Sequence, residues 1–573
     1  MSTEAALLRA IRETPEEDAA RLVYADFLEE EGDPARGEFV RVQVALAGMP
    51  DGDPRRPALE DREHELLAEN EARWLGAPPD AAGLVGWRFE RGFVEELAAT
   101  PYFMLGPGAD VCAAHPVRRW RVQADQDNMP QDLLDCGRRG WFARLEAVDL
   151  AGWYQSVGEL ERFLTRSDFG RLRELDLSDE GAARPGLDDL PGILERAPFR
   201  EQLKVLRCGG GGYPGEAGRL DAWELTRALA PARLAELALP GCLLTAEDVR
   251  GLLAGDCCRV LAALDIRDNP IEPEGWEAFR TAKCRLRSLD LSGTPLGGAA
   301  LGDVLRCESV VDLRVLNINR CAGAAENLRA LAASRFWAQA EELRMRQGTG
   351  PDGAMGPLFA SPGPPGLRVL DASGTFLRDD GVAALCATRW SDTLTDLDLS
   401  QNYLSDEAIR TIASCGRLSR LRTLHLSRND PPFGQEGADL GGRITDAGLV
   451  ALAESPSLAN LRRLDVSGTD VMASGIDALL NGPHWRLTGL GLAASNTPEE
   501  VVRVIADSVR LARLMRLDLS NNYAALSADA LMPLAESEYL SPLCELNITG
   551  CLPDPEVRDA LRARLGRRLR ADQ

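Results

Sequence analysis

A nine-residue phrase recurs along this chain and constrains its fold more than any other feature of the sequence. The phrase is Leu-x-x-Leu-x-Leu-x-x followed by Asn, Cys or Thr, with clear copies at residues 261–269, 286–294, 394–402, 421–429 and 514–522. With weaker copies included, its first position falls at Leu145, Leu172, Leu203, Leu234, Leu261, Leu286, Leu313, Ala340, Leu367, Leu394, Leu421, Leu461, Leu487, Leu514 and Leu543. Eight of the fourteen intervals are 27 residues long, which predicts one structural unit repeated along the chain. A degenerate copy at residues 117–122 stands 28 residues upstream of Leu145.

The spacing within the phrase predicts a short strand that ends in a turn. Side chains alternate along a strand, so the leucines point inward while the intervening residues face outward. The ninth residue turns inward, where a short polar side chain can satisfy backbone groups left unpaired by the bend. Examples of this ninth residue are Asn269, Cys321, Thr375, Asn402 and Cys551. One repeat cannot bury its leucines alone, so neighbouring repeats are expected to stack around a shared core.

The second half of each repeat predicts a helix. Thr245, Ser405 and Thr445 stand as N-caps before apolar residues spaced three and four apart. A strand and a helix within about 27 residues resembles the ribonuclease-inhibitor-like class of leucine-rich repeats. The resemblance covers residues 117–552 and implies an α/β fold. That fold is a horseshoe-shaped solenoid of 15 or 16 repeats, with a parallel sheet on its concave side and helices on its convex side.

Residues 1–48 predict a small all-α domain of three helices, which break near Pro15 and at residues 32–34 (GDP). Asp33 is the expected cap of the third helix, with Pro34 in its first turn. The motifs at residues 21–26 (RLVYAD), 32–34 and 37–41 (GEFVR) resemble the repeat-companion domain of planctomycete bacteria. This resemblance implies a companion role beside repeats and brings no established activity with it.

The remaining boundaries follow from composition and spacing. Residues 49–116 predict a linker, a charged helix over 58–75 and a segment that caps the open edge of the first repeat. The solenoid is expected over 117–552 and a C-terminal capping helix over 553–573. In that helix Val557, Leu561, Leu565 and Leu569 fall four residues apart.

Three segments interrupt the regular spacing. They are a glycine-rich stretch at 209–218, a Pro/Gly-rich stretch at 348–366 and a 13-residue insertion at 430–442. The stretch at 348–366 is expected to replace a helix with coil. Tolerated variation is the favoured interpretation of all three, because surface insertions cost little free energy; a binding role for these loops is the alternative.

The composition narrows the choice of partner and compartment. A net charge of −24 opposes nucleic-acid binding and favours a partner with a basic patch. Thirteen cysteines without a pairing rhythm predict reduced thiols, and Cys242, Cys321 and Cys551 are expected to replace Asn at the ninth position. Neither a signal peptide nor a membrane span is recognisable, so a cytoplasmic location is expected.

The outward fifth position of the phrase supplies the candidate binding surface. Eight of the fifteen copies carry Asp there, and basic residues interrupt the row. The candidate partner-binding residues on this concave face are Asp176, Arg207, Asp265, Asp290, Arg344, Arg346, Asp371, Asp398, His425, Asp465 and Asp518. Asp265 with Asp290, and Asp371 with Asp398, are expected to bring like charges close together.

Such a row should attract Arg or Lys from a partner. The alternative is that Asp is ordinary repeat consensus, neutralised by flanking arginines such as Arg173, Arg287, Arg368 and Arg462. The cations that interrupt the row (Arg207, Arg344, Arg346 and His425) could confer selectivity. Individually, each of them is expected to be a solvated side chain that contributes little.

The sequence carries no recognisable catalytic motif. The sequence contains no nucleophile elbow, P-loop or dinucleotide fingerprint, and its four histidines lie far apart, so no catalytic residue, metal or cofactor is expected. Tyr24 and Asp26 are expected to be ordinary helix residues. The C-terminal arginines are expected on the solvated side of the cap or against the acidic body of the chain; they are Arg558, Arg562, Arg564, Arg567, Arg568 and Arg570.

The sequence therefore predicts a non-enzymatic scaffold that binds a protein partner on its concave face. A regulator of a partner enzyme, either an inhibitor or GTPase-activator-like, is the alternative, and it rests on fold analogy alone. The oligomeric state and the identity of the partner stay open.

Overall fold

The computed structural model describes residues 3–50, 53, 55–124, 130–151, 156–179, 188–210, 220–297, 300–321, 324–347, 355–429, 443–483, 486–495, 497–523 and 526–571. The chain forms two compact units, Met1–Arg285 and Leu286–Gln573, referred to below as unit 1 and unit 2. Within the described part of the chain, no helix combines the length and apolar character that a membrane span requires.

Unit 1 begins with four helices, as predicted: α1 (Thr3–Glu13), α2 (Asp18–Glu30), α3 (Pro34–Gly48) and α4 (Arg56–Leu75). The predicted cap is present, since the Asp33 carboxylate accepts the Arg36 backbone N–H at 3.2 Å. Ile11, Tyr24 and Val40 of these helices pack with Phe93 in one buried cluster. The helices are thus attached to the chain segment that follows them. Their boundary at residue 48 stays a prediction.

That segment is a hairpin of β1 (Leu84–Glu90) and β2 (Phe93–Ala99), followed by α5 (Pro101–Leu105) and α6 (Pro107–Ala114). Strand β2 pairs in parallel with β3 (Arg119–Val122), which is the degenerate first copy of the phrase. Trp120 is fully buried there, and its indole N–H donates to the Ala99 carbonyl at 3.0 Å. A hairpin thus pairs with the edge of the first repeat strand, and its role as a cap stays a prediction.

The repeats of unit 1 continue this sheet in parallel register. Their strands are β4 (Ala147–Asp149), β5 (Glu174–Asp179), β6 (Val205–Gly210), β7 (Glu236–Ala238) and β8 (Ala263–Asp265). Their helices are α7 (Pro130–Cys136), α8 (Val157–Arg166), α9 (Leu190–Arg196), α10 (Ala222–Ala228), α11 (Ala246–Ala254) and α12 (Ala278–Thr281). Each strand is followed by its helix, as the repeat pattern predicts.

Unit 2 repeats the same plan. Its strands are β9 (Ser288–Asp290), β10 (Val315–Asn317), β11 (Glu342–Arg344), β12 (Val369–Asp371), β13 (Asp396–Asp398), β14 (Thr423–His425), β15 (Arg463–Asp465), β16 (Gly489–Gly491), β17 (Arg516–Asp518), β18 (Ser527–Ala528), β19 (Glu545–Asn547), β20 (Leu552–Pro553) and β21 (Leu569–Arg570). Strands β9 to β17 each pair in parallel with the next, β17 pairs with β19 and β19 with β21, while β18 pairs with β20.

The helices of unit 2 are α13 (Ala300–Leu305), α14 (Ala324–Ala332), α15 (Gly356–Phe359), α16 (Arg378–Ala387), α17 (Asp406–Ser414), α18 (Asp446–Ala453), α19 (Ala473–Asn481), α20 (Glu499–Asp507), α21 (Met532–Glu536) and α22 (Pro555–Leu565). The predicted N-caps are confirmed. The Ser405 hydroxyl accepts the Glu407 N–H at 3.1 Å, and that of Thr445 accepts the Ala447 N–H at 3.3 Å.

The leucines of the phrase form the core of each unit. Leu394, Leu397 and Leu399 of one repeat are all buried, and the corresponding residues of the other repeats follow the same pattern. Because the strands are parallel and in register, equivalent leucines of successive repeats stack along the array. The fold is therefore an α/β leucine-rich-repeat solenoid, as predicted.

The ninth residue of the phrase links neighbouring repeats. The Asn402 amide donates to the Ala372 carbonyl of the preceding repeat at 2.8 Å, and its oxygen accepts the Thr375 and Leu377 N–H groups at 3.0 Å each. Where Cys takes this position, the thiol makes the equivalent donation: Cys321 to the Leu291 carbonyl at 3.2 Å. The predicted replacement of Asn by a buried thiol is confirmed. All thirteen cysteines lie in the described ranges and are free thiols.

Two predictions about irregular segments were wrong. Residues 348–366 were expected to be coil throughout, but α15 lies within them and buries Leu358 in the helix layer. The C-terminal helix was expected to include Leu569. It ends at Leu565, because Gly566 takes a left-handed φ of 57°, and Leu569 instead lies in β21. Residues 211–218 and 430–442 fall outside the described residues.

The prediction for the C-terminal arginines holds for Arg562 and Arg570, which are exposed, but was wrong for Arg564 and Arg568. Arg564 donates to the Ala535 carbonyl at 3.0 Å and the Leu540 carbonyl at 2.9 Å, and Arg568 donates to the Pro542 carbonyl at 3.3 Å. These two guanidinium groups bind main-chain oxygens of the last repeat, where a solvated face or contacts with acidic side chains had been expected. An exposed repeat end leaves carbonyls without partners, and a long cation can satisfy several of them at once.

Candidate partner-binding surface

The candidate residues lie on the outward face of the strands in both units. Unit 1 carries Asp176 on β5, Arg207 on β6 and Asp265 on β8. Unit 2 carries Asp290 on β9, Arg344 on β11, Asp371 on β12, Asp398 on β13, His425 on β14, Asp465 on β15 and Asp518 on β17, with Arg346 directly after β11. The parallel register places equivalent positions of adjacent strands side by side.

Each fifth-position aspartate has a structural role that the sequence interpretation missed. One oxygen, Oδ1, accepts the backbone N–H two residues further on; in Asp371 the donor is Ser373 at 3.0 Å. The same bond, at 2.8 to 3.0 Å, is made by Asp149, Asp176, Asp265, Asp290, Asp398, Asp465 and Asp518. In six of the eight copies the signal was the Asp-x-Ser spacing, which is typical of a carboxylate that closes a turn.

Exposure along the row is uneven. Asp371 is buried, with 8% of its surface accessible, so the expectation of an exposed aspartate is wrong there. The reason is local: the Ser373 hydroxyl donates to Asp371 Oδ1 at 2.6 Å, and the Arg346 side chain lies next to Oδ2. Asp398 is partly covered, whereas the His425 side chain retains 41% of its exposed surface.

The cations in the row are solvent-exposed to a large extent, as expected, but they also contact carboxylates, which was not predicted. Arg346 lies 3.8 Å from Asp371 Oδ2 and 3.6 Å from Asp398 Oδ2, so one guanidinium bridges two neighbouring strands. It also donates to the Ser373 hydroxyl at 3.0 Å. The imidazole Nδ1 of His425 lies 3.5 Å from Asp465 Oδ2.

In unit 1, an arginine likewise lies between carboxylates of neighbouring strands. Arg207 donates to Glu236 at 2.8 Å and lies 3.8 Å from Asp176 Oδ2. Arg344 in unit 2 likewise pairs with Glu342 of its own strand. Of the flanking arginines, Arg368 pairs with Glu341 at 3.3 Å, which is not an aspartate of the row. The row is thus partly neutralised by cations within the face.

The titration of the exposed histidine reflects this arrangement. The bond to Asp465 raises the pKa of His425, and the carboxylates of Asp398 and Asp371 act in the same direction. Burial opposes ionisation of Asp465, yet bonds from His425 and Ser467 outweigh it and lower the pKa of that carboxyl. Both shifts favour the charged pair.

A second group of face residues in unit 1 was not predicted. A shallow depression of about 170 Å³ spans β2 to β6 and includes Asp176 and Arg207. Arg121 donates to Asp149 at 2.8 Å, and Arg119 lies 3.5 Å from Glu174. These arginines belong to the degenerate first copy, where the weak match to the phrase concealed the outward positions.

The residues of the amino-terminal motif at 21–26 make structural contacts within the chain. Arg21 is fully buried and lies 2.6 Å from Glu95, which also accepts Arg118 Nε at 2.9 Å. Tyr24 donates to Glu4 at 3.1 Å, and the exposed Asp26 pairs with Arg41 at 2.6 Å. Both residues lie on α2: Asp26 is at the helix surface, as expected, and Tyr24 is buried.

His115 lies in the same buried region. Its Nδ1 accepts the Val94 N–H at 3.2 Å, and burial lowers its pKa to about 3, so the ring is neutral. Among the described residues, no group of three or more His, Cys, Asp and Glu side chains is placed to hold a metal ion.

No family model matches this chain, and no curated protein matches it in sequence. The solved structures that are similar to it include two complexes. The crystal structure of the yeast Rad7 and Elc1 complex is 19% identical, with a TM-score of 0.41, over 65% of this chain and 85% of that chain. The mouse RP105/MD-1 complex is 16% identical, with a TM-score of 0.32, over 80% of this chain and 83% of that chain. The leucine-rich-repeat fold of this protein is established by its repeat geometry, independently of these likenesses.

Proposed function

We propose that this protein is a non-enzymatic scaffold that binds a partner protein through the outward face of its repeat strands, with basic side chains of the partner meeting the aspartate row. One observation carries the proposal: the row already accommodates a guanidinium. Arg346 lies between Asp371 and Asp398, so the second carboxylate oxygens of adjacent strands are spaced to receive Arg. A partner's Arg or Lys would use equivalent oxygens along the face.

The rigidity of the face supports the proposal. Each aspartate is held by its turn hydrogen bond, and each strand is held by its neighbours, so little ordering entropy is lost on association. In unit 2, five aspartates of the fifth position stand against Arg344 and Arg346, which leaves an acidic surplus. Charge complementarity of this kind accelerates encounter and weakens as salt is added.

We further propose that residues 1–48 are a companion domain of the planctomycete type whose role is to secure the start of the repeat array. The supporting contact is Arg21 of the 21–26 motif, which pairs with Glu95 on β2. The domain boundaries 49–116, 117–552 and 553–573 are proposed on the same basis. A reducing, cytoplasmic location is proposed because core thiols such as Cys321 and Cys551 act as hydrogen-bond donors and are needed in reduced form.

The test removes charge without disturbing the turns. Asn317 and Asn547 already occupy the fifth position and accept the same backbone N–H at 3.2 Å, so Asp→Asn is structurally matched. A variant with Asp398, Asp465 and Asp518 all changed to Asn should capture the partner from native extract at least tenfold less well than the wild type. The difference should shrink at high salt.

The matched control places the same change on the helix surface: Asp303→Asn, Glu407→Gln and Glu499→Gln, all at exposed positions. This control should retain full capture. If the row variant keeps every partner of the wild type at low salt, the aspartate row is not the binding surface and the proposal fails.

A further inference from the structure

A small cleft lies within unit 1, where the amino-terminal helices meet the first repeats. Four arginines line it, namely Arg12, Arg118, Arg144 and Arg171. Of the described residues in its lining, Glu146 alone is acidic. The cleft is referred to below as the arginine cleft. It concentrates positive charge in a chain whose net charge is −24.

The repeat register brings three of these arginines together. Arg144 and Arg171 directly precede the first leucines of two successive repeats, whose strands β4 and β5 pair in parallel and in register. Arg118 directly precedes the neighbouring strand β3. The main chain confirms that these segments are adjacent, because the Glu146 N–H donates to the Arg118 carbonyl at 2.8 Å. Arg12 reaches the same place from the last turn of α1.

Three of the four arginines have no carboxylate partner in the described part of the chain. Arg12 donates to the Ala113 carbonyl, and Arg144 donates to the Cys112 carbonyl at 2.6 Å. Within the described residues, Arg171 makes neither a side-chain hydrogen bond nor an ion pair. A guanidinium carries five N–H groups, so Arg12 and Arg144 retain donors beyond these single bonds.

The carboxylates near the cleft are taken by the fourth arginine. Three of them reach Arg118, and they belong to Glu16, Glu95 and Glu146. Glu95 is shared with Arg21, and Glu16 is shared with Arg91 at 3.3 Å. Arg118 is therefore neutralised, whereas the charges of the other three cleft arginines are not.

The three uncompensated arginines are close enough to repel one another. Burial is the main cause of a lowered pKa for Arg144, and the positive charges of Arg12 and Arg171 add to it. A neighbouring charge of the same sign has this effect because it disfavours the ionised form. An anion bound between the three guanidinium groups would replace the repulsion with attraction.

The size of the cleft limits what can enter it. Its volume is about 10 Å³, which is room for about one water molecule. A single oxygen atom fits this space, whereas a nucleotide base, a sugar ring or a peptide backbone does not. A small anionic group at the mouth of the cleft, with one oxygen inserted, matches both the volume and the charge.

We propose that the arginine cleft binds the phosphoryl group of a phosphate monoester, with Arg12, Arg144 and Arg171 as its ligands. Such a group carries up to about two negative charges and three strong acceptor oxygens, so it can pair with three guanidinium groups at once. Because Arg12 comes from α1 and the other two come from the repeats, the bound group ties the amino-terminal helices to the array. The cleft shares no residue with the aspartate row, so the inference goes beyond the proposed function.

The test uses the full chain in a buffer free of phosphate, with binding measured by isothermal titration calorimetry. Inorganic phosphate should bind at one site per chain. A short peptide that contains one phosphoserine should also bind, and its unphosphorylated form should not. Tighter binding of the phosphopeptide assigns the cleft to a phosphorylated partner protein, whereas tighter binding of inorganic phosphate assigns it to the free ion; either result supports the proposal.

Arg171→Gln is the main variant, because this side chain has no partner among the described residues and its loss should leave the fold intact. It should weaken phosphate binding about tenfold, since hydrogen bonds to a charged group are lost. Arg173→Gln is the matched control: it removes the same charge two residues further on, at an exposed position outside the cleft. The control should stay within about twofold of the wild type.

Arg12→Gln tests the contribution of the amino-terminal helices. It should also weaken binding several-fold, while circular dichroism reports an intact fold. If this variant is misfolded, Arg12→Lys replaces it; it keeps the charge but loses the planar fork, so a smaller loss is expected.

Three results would overturn the inference: no phosphate binding by the wild type, an equal loss in Arg171→Gln and Arg173→Gln, or binding of acetate as tight as that of phosphate. The last result would assign the cleft to a carboxylate. The variant with Asp398, Asp465 and Asp518 changed to Asn should bind phosphate like the wild type, so failure of this inference and failure of the proposed function are recognised separately.

Discussion

The amino-terminal region and the repeats bury their polar groups in opposite ways. At the junction of α2, β2 and β3, full charges are buried: Arg21 and Glu95 form an ion pair that Arg118 joins. In the repeats, neutral donors such as Asn402 and Cys321 satisfy the turns. A unique junction can rely on one strong ionic contact. At the inward ninth position of the described repeats, the Asn, Cys and Thr residues are buried, small and neutral, whereas the recurrent carboxylates of the fifth position lie on the outward side of the strands.

The largest effect is expected from breaking the buried ion pair of Arg21 and Glu95. Glu95→Ala leaves the Arg21 guanidinium buried without its carboxylate, which should cost about 3–5 kcal/mol of local stability. Native-state hydrogen exchange of residues 84–122 would measure the loss. Glu96→Ala is the matched control, since Glu96 is the next residue of β2 and its side chain is partly exposed near Arg121; it should cost under about 1 kcal/mol. Equal losses from the two changes would show that the ion pair does not hold the junction.

The second largest effect is expected from removing the Asn402 amide, which links neighbouring repeats at the ninth position. Asn402→Ala removes the acceptor for the Thr375 and Leu377 N–H groups and should cost about 2–3 kcal/mol. Asn402→Cys restores a donor toward the Ala372 carbonyl, as Cys321 supplies in its own repeat, and should recover part of that loss. Hydrogen exchange around residues 370–404 would compare the local stability of the Ala and Cys variants. If the Cys variant is as unstable as the Ala variant, Asn and Cys are not equivalent as donors at the ninth position.

A smaller loss of stability is expected when Arg36, another buried arginine of the amino-terminal region, is replaced. Arg36 lies over the rings of Trp74 at 5.0 Å and Phe89 at 5.4 Å, and burial lowers its pKa to about 10. Arg36→Met removes the desolvation cost together with the cation–π contact, so stability should change by no more than about 1 kcal/mol. Arg21→Met should destabilise much more, because the buried Glu95 then loses its fully buried partner and keeps only Arg118. Urea unfolding of both variants would compare them, and a large loss for Arg36→Met would refute this account.

At neutral pH, the smallest effect concerns two histidines whose pKa values shift in opposite directions. Burial lowers the pKa of His115 to about 3, so its contribution to stability is complete above pH 6.5 and is lost as the pH falls toward 3. Asp465 raises the pKa of His425, so that contribution is complete below pH 6.5 and is lost as the pH rises through the folded pKa. NMR titration of the ring protons should show both shifts. Asp465→Asn should lower the pKa of His425 and leave His115 unchanged; a His425 pKa at or below 6.5 in the wild type would contradict the pairing.

Much of the repeat architecture was predictable because its cause is periodic. The strands, the buried leucines, the caps at Ser405 and Thr445 and the inward Cys321 all follow from residue spacing within one repeat. The candidate face was predictable only in part. The positions of Asp371 and Asp398 were predicted, but their turn bonds and the bridging Arg346 were not, since an ion pair between strands depends on the register of separate repeats.

The sequence by itself determined that this chain stacks leucine-lined repeats, because a period of about 27 residues can bury its apolar side only against copies of itself. Only the tertiary structure decided which charges meet. Arg21 and Glu95 are 74 positions apart, and Arg346 meets Asp371 and Asp398 of the next two repeats. Such contacts are set by how repeats and caps register in space, where charges interact over a few ångströms regardless of their separation along the chain.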